Sequence, residues 1–65
     1  MRQVKDVLIA YPKECRNAIR TIIDEVGASA ETAYAMIMMT SALMDLDPKD
    51  ETVLHIILKD CGVEV

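Results

Sequence analysis

The chain has no Trp and no Phe, and its only aromatic residues are Tyr11 and Tyr34. Its core must therefore be built from Ile, Leu, Val, Ala and Met. The two prolines are Pro12 and Pro48, and the two glycines are Gly27 and Gly62. So few breakers leave long uninterrupted stretches in which helices can grow. Gly27 and Gly62 stand alone, which excludes a glycine-rich phosphate loop. Histidine is limited to His55, with no second His at helical ligand spacing, and Cys15 and Cys61 lack the close pairing of a zinc site. No nucleophile–base or acid–base set emerges from these residues, so the chain reads as non-enzymatic, with no cofactor, no metal and no small-molecule substrate.

Long apolar runs are also missing. Positions 33–44 are apolar at ten of twelve residues, but a membrane span needs about 20. Near the start, Arg2 and Lys5 precede a short apolar run with no small-residue cleavage site behind it, so a cytoplasmic protein with reduced thiols is expected.

Sixty-five residues suit a single domain, expected to span 1–65. So short a chain buries only about 60% of its unfolded surface and gains from oligomerisation. Apolar spacing predicts helices throughout. Val4, Val7, Leu8 and Tyr11 mark a short first helix over 3–11. Cys15, Ala18, Ile19, Ile22, Ile23 and Val26 line a second, which Gly27 stops. Ser29 caps a third, with Glu31 in its first turn, running to Met44 or Asp45. Asp47 is expected to cap a fourth, with Pro48 as its first residue and Val53, Leu54, Ile57, Leu58 and Cys61 along its inner face up to Gly62. The expected fold is all-α: a small bundle of three main helices plus a short N-terminal one, completed by homodimerisation.

That completion follows from the third helix. A surface helix shows one apolar stripe and one polar face, but positions 33–44 have almost no polar face. Ala28, Ala35 and Ala42 stand seven apart, and small residues in a row admit another helix closely. Tyr34, Met36, Met38, Met39 and Met44 surround this seam, which reads as a helix–helix packing surface either within the chain or between subunits; the all-round apolarity favours the second, with Ala28, Tyr34, Ala35, Met38, Met39 and Ala42 as the expected oligomer or partner interface. Five methionines suit a contact surface that can repack.

Charge is uneven. The net charge of −4 divides into +3 over residues 1–20 and −7 over 21–65. Asp45, Asp47, Asp50 and Glu51 form an acidic cluster that reads either as helix caps and first-turn acids or as a partner patch. An acidic surface of this kind could imitate nucleic acid towards a nucleic-acid-binding protein. Lys13, Arg16, Asn17 and Arg20 fall on one helix face. They read as a solvated face, a site for an acidic protein surface, or phosphate contacts.

The stretch from Ile19 to Met36 resembles the core of a helix-turn-helix: a helix ends in Val26 and Gly27, Ser29 opens the next, and Ala33 and Met36 stand at apolar offsets. It departs from that pattern at Ile23, where the motif prefers a small residue. The resemblance implies a DNA-binding regulator whose third helix presents Ser29, Ala30, Glu31, Tyr34, Ala35 and Met38 to the bases. Those positions hold no Arg, Lys, Asn or Gln to read base edges, and Glu31 would repel phosphate. The expected function is accordingly a small acidic protein-interaction module (a regulator, inhibitor or adaptor) that acts as a homo-oligomer on another protein. DNA binding through Lys13, Arg16 and Arg20 is the alternative.

Overall fold

The computed structural model describes residues 11–64. They form three α-helices: α1 (Lys13–Val26), α2 (Ala30–Met44) and α3 (Glu51–Asp60). The first helix predicted over 3–11 lies outside the described residues, apart from Tyr11.

Each helix begins and ends for a local chemical reason. Pro12 precedes α1, and its carbonyl takes the Cys15 N–H at 2.9 Å. Gly27 ends α1 at φ 80°, in the left-handed region, and its N–H returns to the Ile23 carbonyl. A Cβ there would meet no atom within 4 Å, so the backbone angle rather than crowding calls for glycine. Two residues later Ser29 caps α2, its Oγ accepting the Thr32 N–H at 3.2 Å. Helix α3 ends in a Schellman arrangement, with Val63 N–H on the Leu58 carbonyl and Gly62 N–H on the Lys59 carbonyl.

The start of α3 corrects the sequence reading. Asp47 does not cap the helix, and Pro48 is not its first residue. Residues 47–50 form a tight turn in which the Asp50 N–H donates to the Asp47 carbonyl at 2.9 Å. The Asp47 carboxylate takes the Lys49 N–H at 3.0 Å. Asp50 is the true cap, accepting the Thr52 N–H at 2.9 Å, and α3 begins at Glu51. Two aspartates three apart could each cap. The chain uses both, Asp47 to hold the turn and Asp50 to open the helix.

All three helices pack on one another. Cys15, Ile19 and Ile22 of α1 meet Ala30, Ala33 and Ile37 of α2 and Val53, Ile57 and Leu58 of α3 in one core. Tyr11 lies against Tyr34, with ring centroids 4.5 Å apart, and so ties the entry of α1 to α2. Cys15 is buried and free, while Cys61 is exposed and free. The expected inward place for Cys61 is thus corrected: it caps the end of α3 on the exposed side, and Val63, two residues on, packs against the core instead. Ser41 is the buried polar residue of α2, and its hydroxyl donates to the Met38 carbonyl at 2.9 Å.

Candidate functional site

Helix α2 is apolar on both sides, and only one side is used by the core. Ala30, Ala33, Ile37 and Ser41 are buried. On the opposite side Ala35, Met38, Met39 and Ala42 follow one another at helical spacing, and all four are exposed. Met38 is 40% exposed, Met39 63% and Leu43 83%. A surface helix normally covers this position with charged side chains. Here no charged residue interrupts the face between Glu31 and Asp45.

The face continues into a groove between α2 and α3. Met36, Met39, Thr40 and Leu43 line one wall, Ile56 and Ile57 the other, with Asp60 at the mouth, around about 260 Å³. Leu43 and Ile56 were not among the residues expected from sequence to build the interface. The spacing from Met39 to Leu43 carries a signal for the first. Nothing in the sequence shows that α3 brings Ile56 alongside, because that depends on how two helices cross.

Of the six expected interface residues, the structure brings Ala35, Met38, Met39 and Ala42 onto this open face. It places Ala28 and Tyr34 differently. Both are half-buried and packed against the core: Ala28 in the turn before α2, Tyr34 under Tyr11. Helical spacing placed Ala28 in line with Ala35, but the helix begins only at Ala30.

The acidic residues 45, 47, 50 and 51 are all exposed on the connection into α3. Three have local duties. Asp47 and Asp50 accept backbone N–H groups, as above. Asp45 takes the left-handed position that ends α2, at φ 53°, and its N–H returns to the Ser41 carbonyl. Bonds from the Thr52 backbone, then from its side chain, lower the Asp50 pKa, opposed by a smaller effect of burial. A mixed groove of about 240 Å³ lies beside them, lined by Glu14, Asn17 and Thr21 of α1 and by Lys49, Asp50 and Glu51.

The basic residues of α1 occupy its outer face. Lys13, Asn17 and Arg20 are exposed. Arg16 is half-buried, and its Nε donates to the Tyr11 carbonyl at 3.1 Å. Among the positions that the helix-turn-helix resemblance points at DNA, Ala30 is buried in the core and Tyr34 is half-buried, so neither lies open as that resemblance implies. The Cys15 thiol has a raised pKa, first through burial and then through Glu14. His55 is exposed on α3. Among the described residues no three His, Cys, Asp or Glu side chains are grouped to hold a metal ion, and no helix is long and apolar enough to cross a membrane.

Fold and surface together define a small all-α bundle with one helix left bare on its outer side. No protein-family model matches the chain, and no curated protein or solved structure matches it.

Proposed function

We propose that this chain is a non-enzymatic protein-interaction module of the regulator, inhibitor or adaptor kind, acting as a homo-oligomer. The observation that carries this reading is the outer face of α2, where Met38 and Met39 stand in solvent between exposed Ala35 and Ala42, with exposed Leu43 beside them. Contiguous exposed apolar surface rimmed by polar groups marks an interaction site. Assembly through that face leaves the acidic turn Asp45, Asp47, Asp50 and Glu51 available to a basic protein partner.

The test is affinity capture of partners from lysate with tagged protein, with and without nuclease. A discrete protein that survives nuclease, and is lost with Asp47→Asn and Glu51→Gln together, supports the reading. Capture of nothing beyond the tag control counts against it. The second reading, nucleic-acid binding, is favoured by the exposure of Lys13, Asn17 and Arg20 on one face of α1. It predicts salt-sensitive binding to random duplex that weakens when Arg16→Ala and Arg20→Ala are combined.

A further inference from the structure

The exposed stripe of α2 has an internal symmetry. Read in either direction from the midpoint between Met38 and Met39, its residues run large, then small: Met38 then Ala35 one way, Met39 then Ala42 the other. A twofold interface is self-complementary, with residue i on residue j and j on i. Two α2 helices laid antiparallel about that midpoint satisfy this condition. Ala35 of each copy then meets Ala42 of the other, and the methionines meet at the centre. The alanines allow the helices to approach closely, and the flexible methionines fill the space beside them. Antiparallel helices also align their dipoles favourably.

Complete coverage of Met38, Met39, Leu43, the two alanines and the groove edge removes about 500 Å² per copy from solvent, or about 1,000 Å² across the pair, the least that a specific interface needs. No charged side chain lies in the middle of the stripe to be buried. At its ends the same register brings Glu31 of one copy level with Asp45 of the other, on one side of the seam. Both are acidic, so the ends repel.

We infer that the α2 face closes on a second copy of this chain, antiparallel, about a twofold axis between Met38 and Met39. The inference rests on the homo-oligomer reading above and adds its geometry. The repelling ends give it a signature: screening by salt tightens this dimer. Head-to-tail pairing of the basic face of α1 with the acidic turn would loosen in salt.

Sedimentation equilibrium of the full chain, from low to high micromolar protein, tests the contact. The expected result is a monomer–dimer equilibrium that tightens a few-fold as salt is raised, and that Ala35→Arg weakens by at least about tenfold with the far-ultraviolet circular dichroism unchanged. Arg forms helix nearly as well as Ala, so the folded monomer is retained. A second measurement fixes the orientation. In a Cys61→Ser background, an equal mixture of Ala35→Cys and Ala42→Cys chains should form the mixed disulfide in excess, with little linkage in either variant alone. Homodisulfides of each variant would mean parallel helices and overturn the inference. A chain that stays monomeric, or an oligomer untouched by Ala35→Arg or loosened by salt, overturns it too. A chain that stays monomeric overturns the homo-oligomer reading as well, whereas parallel linkage or loosening by salt overturns this geometry alone; partner capture by the acidic turn is tested separately.

Discussion

At the scale of single residues, the aspartates between α2 and α3 show how one side-chain type serves three backbone purposes. Asp45 holds a left-handed conformation that glycine adopts without strain, and it places a negative charge at the negative end of its helix. Asp45→Gly should therefore stabilise the protein by roughly 0.5–1 kcal/mol in urea unfolding, whereas the β-branched Asp45→Val should destabilise it. Asp50 works the other way. Its carboxylate is bonded to Thr52 in the fold, which lowers its pKa from the ordinary 3.8. A lowered folded pKa adds stability above that range and loses it as pH falls through the folded value. The wild-type chain should thus lose stability more steeply below about pH 4 than Asp50→Asn, while the two match near pH 7 because Asn caps as well as Asp. Urea titrations at both pH values measure the difference. Both duties are readable as helix-end chemistry from sequence, but which of Asp47 and Asp50 does the capping is not. Each lies before a plausible helix start, and only the structure shows Asp47 holding the turn and Asp50 opening the helix.

At the scale of elements, α2 separates composition from position. Ile37 and Leu43 are both large aliphatic residues of one helix. Ile37 is buried among all three helices, and Leu43 is almost fully in solvent. Ile37→Ala should cost about 2–5 kcal/mol and, in a domain this small, prevent stable folding. Leu43→Ala should change the stability of the isolated monomer by no more than about 0.5 kcal/mol. Thermal unfolding in dilute solution compares them. The all-round apolar pattern of positions 33–44 shows that some apolar side stays unburied within the chain. It does not show which side, because periodicity cannot be read where almost every position is apolar. Ser41 illustrates the difficulty. Its polarity points to a solvent side, yet it is buried with its hydroxyl on the Met38 carbonyl of its own helix.

At the scale of the whole molecule, three short helices among the described residues close a core of nine small to medium side chains and leave the outer side of α2 uncovered by one another. If assembly supplies the missing layer, stability depends on protein concentration. The melting temperature should rise by a few degrees over a hundredfold increase in concentration, and Ala35→Arg should move that rise to at least about tenfold higher concentration. Calorimetry across that range is the measurement. The separation of charge along the chain takes on a spatial meaning at this scale too. Lys13, Asn17 and Arg20 stand on the outer face of α1, while the acidic turn lies on the connection into α3. The two adjoin at the groove that Asn17 shares with Asp50 and Glu51.

The sequence by itself determined the helical class, the helix ends at Gly27, Ser29 and Gly62, and the excess of apolar surface. These follow from interactions within a few residues, where spacing along the chain equals spacing in space. Only the tertiary structure decided that Ile56 extends the surface of Ala35, Met38, Met39 and Ala42, that Ala28, Tyr34 and Ser41 turn inward, and that Asp50 rather than Asp47 begins α3. Those outcomes depend on how α1 and α3 cross α2, and a crossing is settled by side chains far apart in sequence competing for one limited core.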